Sequence, residues 1–164
     1  MPSVTLRFSQ AADATAMVAL QRASWLAAYG AVLGDDLLEQ MSERQHLEVW
    51  QTRIAQSDQR PLLVCLDDVP VGLLYWQCED NIAWLRAFYL HPDHWRQGLG
   101  QRLWLAVSQQ MRRAGCQEAR LWLLHGNRVG AAFYFKQGFR PAGERRTLHS
   151  LGRDCQQFLL ARAL

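Results

Sequence analysis

The sequence predicts a mixed α/β protein: one β-sheet flanked by helices on both faces, in a single domain. Three observations lead there. The apolar patterns follow one another in the order β, two or more α, three β, α, β, α, two β. Residues 119–124 read as a continuous apolar strand, which suits a sheet covered on both sides. No repeat, linker or low-complexity tract interrupts the 164 residues, a length that one domain accommodates.

Residues 4–8 alternate apolar and polar and predict the first strand. Asp13 is placed to cap the helix that follows, in which Ala14, Met17, Val18, Gln21, Trp25 and Ala28 share a stripe. That helix is expected to stop at Tyr29-Gly30. VLGDDLLEQM suggests a short helix or turn. Ser42 and Gln45 then form a capping-box pattern before a helix reaching about Ser57. Apolar runs over 61–66 and 71–78 predict two strands separated by the turn chemistry of DDVP. Glu79-Asp80-Asn81 leads into a third, residues 82–90; with a three-residue loop, Trp76 and Trp84 would sit opposite each other.

Pro92 ends that strand, and Gly98 and Gly100 open a helix whose apolar face carries Leu99, Leu103, Ala106, Val107, Met111 and Ala114. Arg112, Arg113 and Gly115 form its C-terminal signature. Past the strand at 119–124, Asn127 can cap a helix over 129–137 that Gly138 terminates. Strands over 139–148 and 154–163 close the chain, with a turn at Leu151-Gly152.

Apolar residues make up 49% of the chain and charged residues 20%, an ordinary globular balance. No window approaches a membrane span, and MPSVTLRFSQ has neither the basic flank nor the apolar run of a secretory signal, so a cytoplasmic location is expected. Cys65, Cys78, Cys116 and Cys155 show no CxxC pair or metal-like spacing, and disulfides are not expected. His91 and His94 lie across a proline without Cys or carboxylate neighbours at ligand spacing, so no metal is expected.

The charge is unevenly spread. Six basic and eleven acidic side chains give residues 1–90 a net −5, whereas twelve and four give residues 91–164 a net +8. A polyphosphate would be drawn to the second half and a cationic co-substrate to the first. No basic run is interleaved with aromatics along one face, so nucleic acid is not expected as a partner.

The chemistry centres on LRAFYLHPDHWRQGLGQRLWLA, residues 85–106. Glycines at a strand-to-helix turn expose backbone N–H groups at a helix N-terminus, where an anion can bind. Position 103 is Leu, not the third glycine of a dinucleotide fingerprint, and no GK[ST] follows as a P-loop requires.

LRAFYLHPDHWRQGLGQRL resembles the acetyl-CoA signature of the GCN5-related N-acetyltransferase (GNAT) family: a strand, His/Asp-Pro, then [Q/R]-x-x-G-x-[G/A] opening a helix. LWLLHGNRVGAAFYFKQGFRPAGE resembles the second signature, N-x-x-A-x-x-F-Y-x-x-x-G-F, and residues 8–41 look like the first strand and helices of many bacterial members. Two departures stand out. Trp95 occupies the first motif position, usually Gln or Arg, and Trp84 stands where many members carry a Glu.

The resemblance implies the acyl-CoA N-acyltransferase fold with a splayed central sheet and acetyl-CoA as co-substrate. Backbone N–H groups of Gln97, Gly98, Leu99, Gly100 and Gln101 would hold the pyrophosphate, with charge from Arg96 and Arg102. Phe88, Tyr89 and Leu90 would face the pantetheine arm, where a backbone N–H stabilises the developing oxyanion. Asn127 would serve the cofactor arm or simply cap its helix. Tyr134 matches the family's general acid, protonating the departing thiolate in a direct, ternary-complex transfer to a primary amine.

For a base, Glu79, Asp80, His91 and His125 remain, with His125 favoured by its intrinsic pKa; a water shuttle or an amine arriving neutral needs none of them. Trp25, Tyr29, Trp76 and Trp84 could line an acceptor pocket, or serve the core and a homodimer contact. The acidic first half leans toward cationic acceptors such as polyamines, aminoglycosides or peptide amines. A non-catalytic acyl-CoA sensor, or transfer of a different acyl group, are the competing readings.

Overall fold

The structure, a computed structural model, describes residues 1–33, 42–56, 58–150 and 153–164. Ser57, the turn at Leu151-Gly152 and all but the first two residues of VLGDDLLEQM lie outside the described residues. Strand β1 (Val4–Phe8) leads through a 3-10 turn (Ala11–Asp13) into α1 (Ala14–Leu33), and α2 spans Glu43–Ala55. Strands β2 (Leu62–Leu66), β3 (Val69–Glu79) and β4 (Ile82–Leu90) precede α3 (Leu99–Arg113). Then come β5 (Glu118–Leu124), α4 (Arg128–Lys136), β6 (Arg140–Ser150) and β7 (Arg153–Ala163). They form one sheet in the order β1-β2-β3-β4-β5-β7-β6, antiparallel except for β4 beside β5. No helix among the described residues is long and apolar enough to cross a membrane.

Both faces are covered, as expected. On the front, Met17 and Leu20 of α1 and Trp50 and Ile54 of α2 bury Leu63, Leu73, Tyr75 and Ala87. The Trp50 indole donates to Gln21 Oε1 at 2.9 Å, which satisfies two buried polar groups at once. On the back, Leu103, Trp104, Val107 and Met111 of α3 pack on Leu74, Trp76, Leu85, Ala119 and Leu121.

Several local expectations are corrected. Asp13 does not cap α1. Its carboxylate accepts from the Gln10 N–H at 2.7 Å and from Arg7 at 2.8 and 2.9 Å, closing the 3-10 turn one step earlier. Gly30 does not stop α1, which runs on to Leu33; one interior glycine costs only about 1 kcal/mol. Ala114 is exposed, and fully buried Trp104 takes a share of the α3 face instead. Strand β5 is buried on its back only, with Arg120 and Trp122 half-buried in front. Cys78 and Cys116 are free thiols, their sulfurs 3.1 Å apart; burial and then Cys78 push Cys116 up to about 11.

The β3–β4 hairpin sets the register. Its turn is two residues, Asp80 and Asn81, at φ 52° and 63°, the left-handed pair that hairpin twist favours. Tyr75 faces Ala87 while Trp76 faces Leu85, so Arg86 is an extra residue, a β-bulge. The predicted Trp76–Trp84 pair therefore does not form: Trp76 faces Leu85 and is buried in the back core, and Trp84 lies opposite Gln77. Beyond the bulge the alternation is rephased, with Ala87 and Tyr89 in front and Phe88 and Leu90 behind.

Gly72 is the close-approach point beneath β4: an added Cβ would lie 2.6 Å from Leu90 Cδ1 and 2.9 Å from Val64 Cγ1. Gly72→Ala is expected to destabilise the fold by about 1–3 kcal/mol, read by chemical denaturation, whereas unchanged stability would mean these strands have slack.

Candidate active site

Strands β4 and β5 pair only through Ile82, Ala83 and Trp84 against Glu118, Ala119 and Arg120, and then diverge. The divergence leaves one edge of β4 open. His91 donates its N–H to the Val71 carbonyl at 2.8 Å, toward β3. Backbone alternation then aims Tyr89 at β3 as well, and the N–H and C=O groups of Phe88 and Leu90 at the opening.

Past Leu90, Pro92–His94 makes a 3-10 turn, and Arg96 and Gly98 both take left-handed conformations, φ 63° and 80°. Helix α3 starts at Leu99, and its first N–H groups point back at the turn without intrahelical partners. Gly100 lies under Phe133 of α4, where a Cβ would come within 3.2 Å of the ring. Trp95 does more than the motif suggested. Its indole N–H donates to the Leu90 carbonyl at 2.8 Å, tying the turn to the open edge and occupying one of its acceptors.

These elements enclose a cavity of about 550 Å³ that passes through the divergence. Of the predicted cofactor residues, Phe88, Tyr89, Leu90, Arg96, Gly98, Gly100, Gln101, Asn127 and Tyr134 line it. Leu99 is buried in the core, Gln97 turns its side chain to the Asp93 carbonyl at 3.4 Å, and exposed Arg102 lies outside the lining. Arg128 and Lys136, not singled out from the sequence, join Arg96 in making the lining cationic. Among the described residues no carboxylate or imidazole lines it, and no three His, Cys, Asp or Glu side chains gather as metal ligands.

Three phenols meet there from three elements: Tyr29 of α1, Tyr89 of β4 and Tyr134 of α4. Burial raises the pKa of each above the ordinary phenol value, and for Tyr134 the proximity of Tyr29 and Tyr89 adds to it. Tyr134 rests edge-on against Phe88, Phe133 and Phe139 at 6.2, 5.5 and 5.6 Å. Asn127 caps α4 and also contacts Tyr29. Its Oδ1 accepts from the Gly130 N–H at 2.9 Å as a helix cap, while its Nδ2 reaches the Tyr29 hydroxyl at 3.4 Å.

Other sequence candidates fall elsewhere. His125 is exposed, its ring tilted against Phe158 at 5.6 Å, and it does not line the cavity. Glu79 pairs with Arg86 at 2.8 Å, Asp80 forms the hairpin turn, and the His91 Nδ1 accepts from the Asp93 N–H at 3.2 Å. Trp76 is core. Trp84 lies under Arg86 and Arg120, away from the cavity. Trp25 stands behind the lining, edge-on to Tyr29 and Tyr89 at 5.8 and 6.3 Å. Its indole N–H meets no acceptor at hydrogen-bond geometry among the described residues, yet lies near enough to Tyr89 to favour that phenol's anion slightly.

A parallel pair that diverges beside a glycine turn defines the class. Residues 20–139 match the acetyltransferase (GNAT) family. A protein named spermidine N(1)-acetyltransferase, from Thermoplasma acidophilum, is 26% identical over 84% of this chain and 89% of its own length. The crystal structure of the PaiA N-acetyltransferase from the same organism, in complex with coenzyme A, superposes with a TM-score of 0.86 at 24% identity over 99% of both chains. The Escherichia coli ribosomal-protein-S18-alanine N-acetyltransferase gives 0.73 at 18% identity over 98% of this chain and 94% of its own. The chain belongs to the GNAT family and is an acyltransferase with that family's splayed α/β fold.

Gly98→Ala is expected to weaken coenzyme A binding by up to about 5- to 30-fold by calorimetry, since a side chain disfavours φ 80° by about 1–2 kcal/mol and lets the free turn relax to a shape that binding must then reverse. Unchanged affinity would show that the turn does not bind the phosphates.

Proposed function

We propose that the protein moves an acetyl group from acetyl-CoA to a primary amine by direct attack in a ternary complex. The observation that carries this reading is the single cavity that joins an open β4 edge, an uncapped helix N-terminus and a buried phenol. Relatives named N-acetyltransferases, one of them solved with coenzyme A, support both the cofactor and an amine acceptor.

Each part fits its task. The α3 N-terminus and the left-handed Arg96–Gly98 turn offer backbone donors to a pyrophosphate, and Arg96, Arg128 and Lys136 add charge. Phe88 and Leu90 offer N–H groups to the pantetheine amides and to the thioester oxygen, as an added strand would. Acetyl-CoA supplies the activated acyl group. Tyr134, held protonated by burial, is the donor to the departing sulfur. The same dry surroundings raise the proton affinity of a thiolate formed beside it, so the burial does not by itself oppose the transfer. The attacking amine gives up its proton to water or arrives neutral.

Tyr134→Phe is expected to lower kcat about 100-fold or more while leaving the Kd for coenzyme A within about twofold. A large loss of affinity alone would reduce Tyr134 to packing. The pH profile is a separate check. With no carboxylate or imidazole lining the cavity among the described residues, kcat/KM should rise with pH up to the acceptor's own pKa and shift with that pKa when the acceptor is changed. A limb near pH 6.5 that ignores the acceptor would reveal an imidazole instead.

A further inference from the structure

The front face beside the cavity carries guanidinium groups laid on aromatic rings. Arg53 of α2 lies 4.8 Å from the Trp50 ring and 4.7 Å from the Tyr75 ring. Arg86, the bulge residue, lies 5.4 Å from Trp84, and Arg146 of β6 lies 4.2 Å from Trp122. Arg53 and Arg86 border an open groove of about 670 Å³ between α2 and the sheet, with Thr52, Gln56, Tyr75 and Gln77 as its polar lining.

The groove and the reaction cavity share no lining residue, but cations of the front lie beside the cavity wall. Tyr89, which lines the cavity, feels the charge of Arg53, and Trp122, which also lines it, carries Arg146 on its ring. An acceptor approaching from the front passes these cations first. We propose that Arg53, Arg86 and Arg146 form a subsite for a carboxylate on the acceptor, so that the substrate class is an amine bearing a carboxylate rather than a polyamine. The inference rests on the acetyl-transfer reading above.

Charge accounting supports it. Arg86 is neutralised by Glu79 at 2.8 Å, but neither Arg53 nor Arg146 has a carboxylate within ion-pair distance among the described residues; Arg146 is held by the Gln157 amide at 2.7 Å. Burial, and then Arg86 nearby, lowers the pKa of Arg146; burial lowers that of Arg53, with Arg86 contributing to it. An anion among them relieves that repulsion, and a bidentate carboxylate matches guanidinium geometry.

Glu48 is the acidic side chain of the groove, 63% exposed and 3.4 Å from Arg44. Three acidic side chains of the first half are already paired: Asp13 with Arg7, Glu43 with Arg22 and Glu79 with Arg86. The carboxylate subsite thus follows the cations beside the cavity, whereas the lean toward cationic acceptors follows the net charge of the first half.

The test compares amino acids with their carboxamides, and dipeptides carrying Asp or Glu at the second position with their Asn or Gln counterparts, using thiol release to obtain kcat/KM. The carboxamide of an amino acid has the less basic amine and so more neutral nucleophile, which biases the comparison against the proposal. A preference of about tenfold or more for the acid is expected in at least one series, and the series that shows it separates free amino acids from acidic peptides. Arg146→Gln should cut that preference at least about fivefold through KM, and Arg146→Lys should restore part of it. Acid-to-amide ratios near one in both series, or spermidine as the best acceptor, would overturn the proposal while leaving acetyl transfer intact. Failure of every amine, with coenzyme A still bound, would overturn the transfer reading and the subsite with it.

Discussion

A parallel strand pair that releases after three residue pairs leaves backbone donors and acceptors of β4 with no strand beside them. Such groups are costly to bury unless something pairs with them, and an exposed sheet edge is a template for another extended chain. Here the edge opens into a cavity. On one side it meets the α3 N-terminus, on the other the Tyr134 phenol, and the Trp95 indole already takes the Leu90 carbonyl. The remaining free groups are those that an extended amide-bearing arm can use.

The bulge at Arg86 makes this edge serve two faces. By inserting one residue it turns Phe88 and Leu90 to the back, beside α4, and leaves Tyr89 in front, beside α1. It also presents Arg86 on the front over Trp84. A cofactor arm entering from one side and an amine from the other can thus meet at the same strand without competing for the same surface, which is what direct transfer in a ternary complex needs. Burial keeps the phenols of Tyr29, Tyr89 and Tyr134 neutral between the two, in a cavity whose charged lining side chains among the described residues are cationic.

Much of this was legible in the sequence because it is written locally. The strand and helix periods gave the element order, Gly98 and Gly100 marked the turn, and Asn127 three residues before Gly130 marked a cap. What was not legible depends on pairing between distant segments. A bulge has no residue signature when the extra residue is an ordinary Arg, and the hairpin turn came out one residue shorter than expected, so the facing of Trp76 and Trp84 was misjudged. The Tyr29–Asn127 contact joins residues 98 positions apart, and Arg146 finds Trp122 only because β7 lies between their strands. His125 was attractive by residue type alone. The end of β5 points it at Phe158, not at the cavity.

Residue-resolved amide hydrogen exchange, with and without coenzyme A, tests the open edge most directly. The account predicts that Phe88 and Leu90 exchange quickly in the free protein and slow by about tenfold or more when coenzyme A binds, while Tyr89, paired to β3, is protected throughout. Binding of coenzyme A with no change at Phe88 and Leu90 would contradict it.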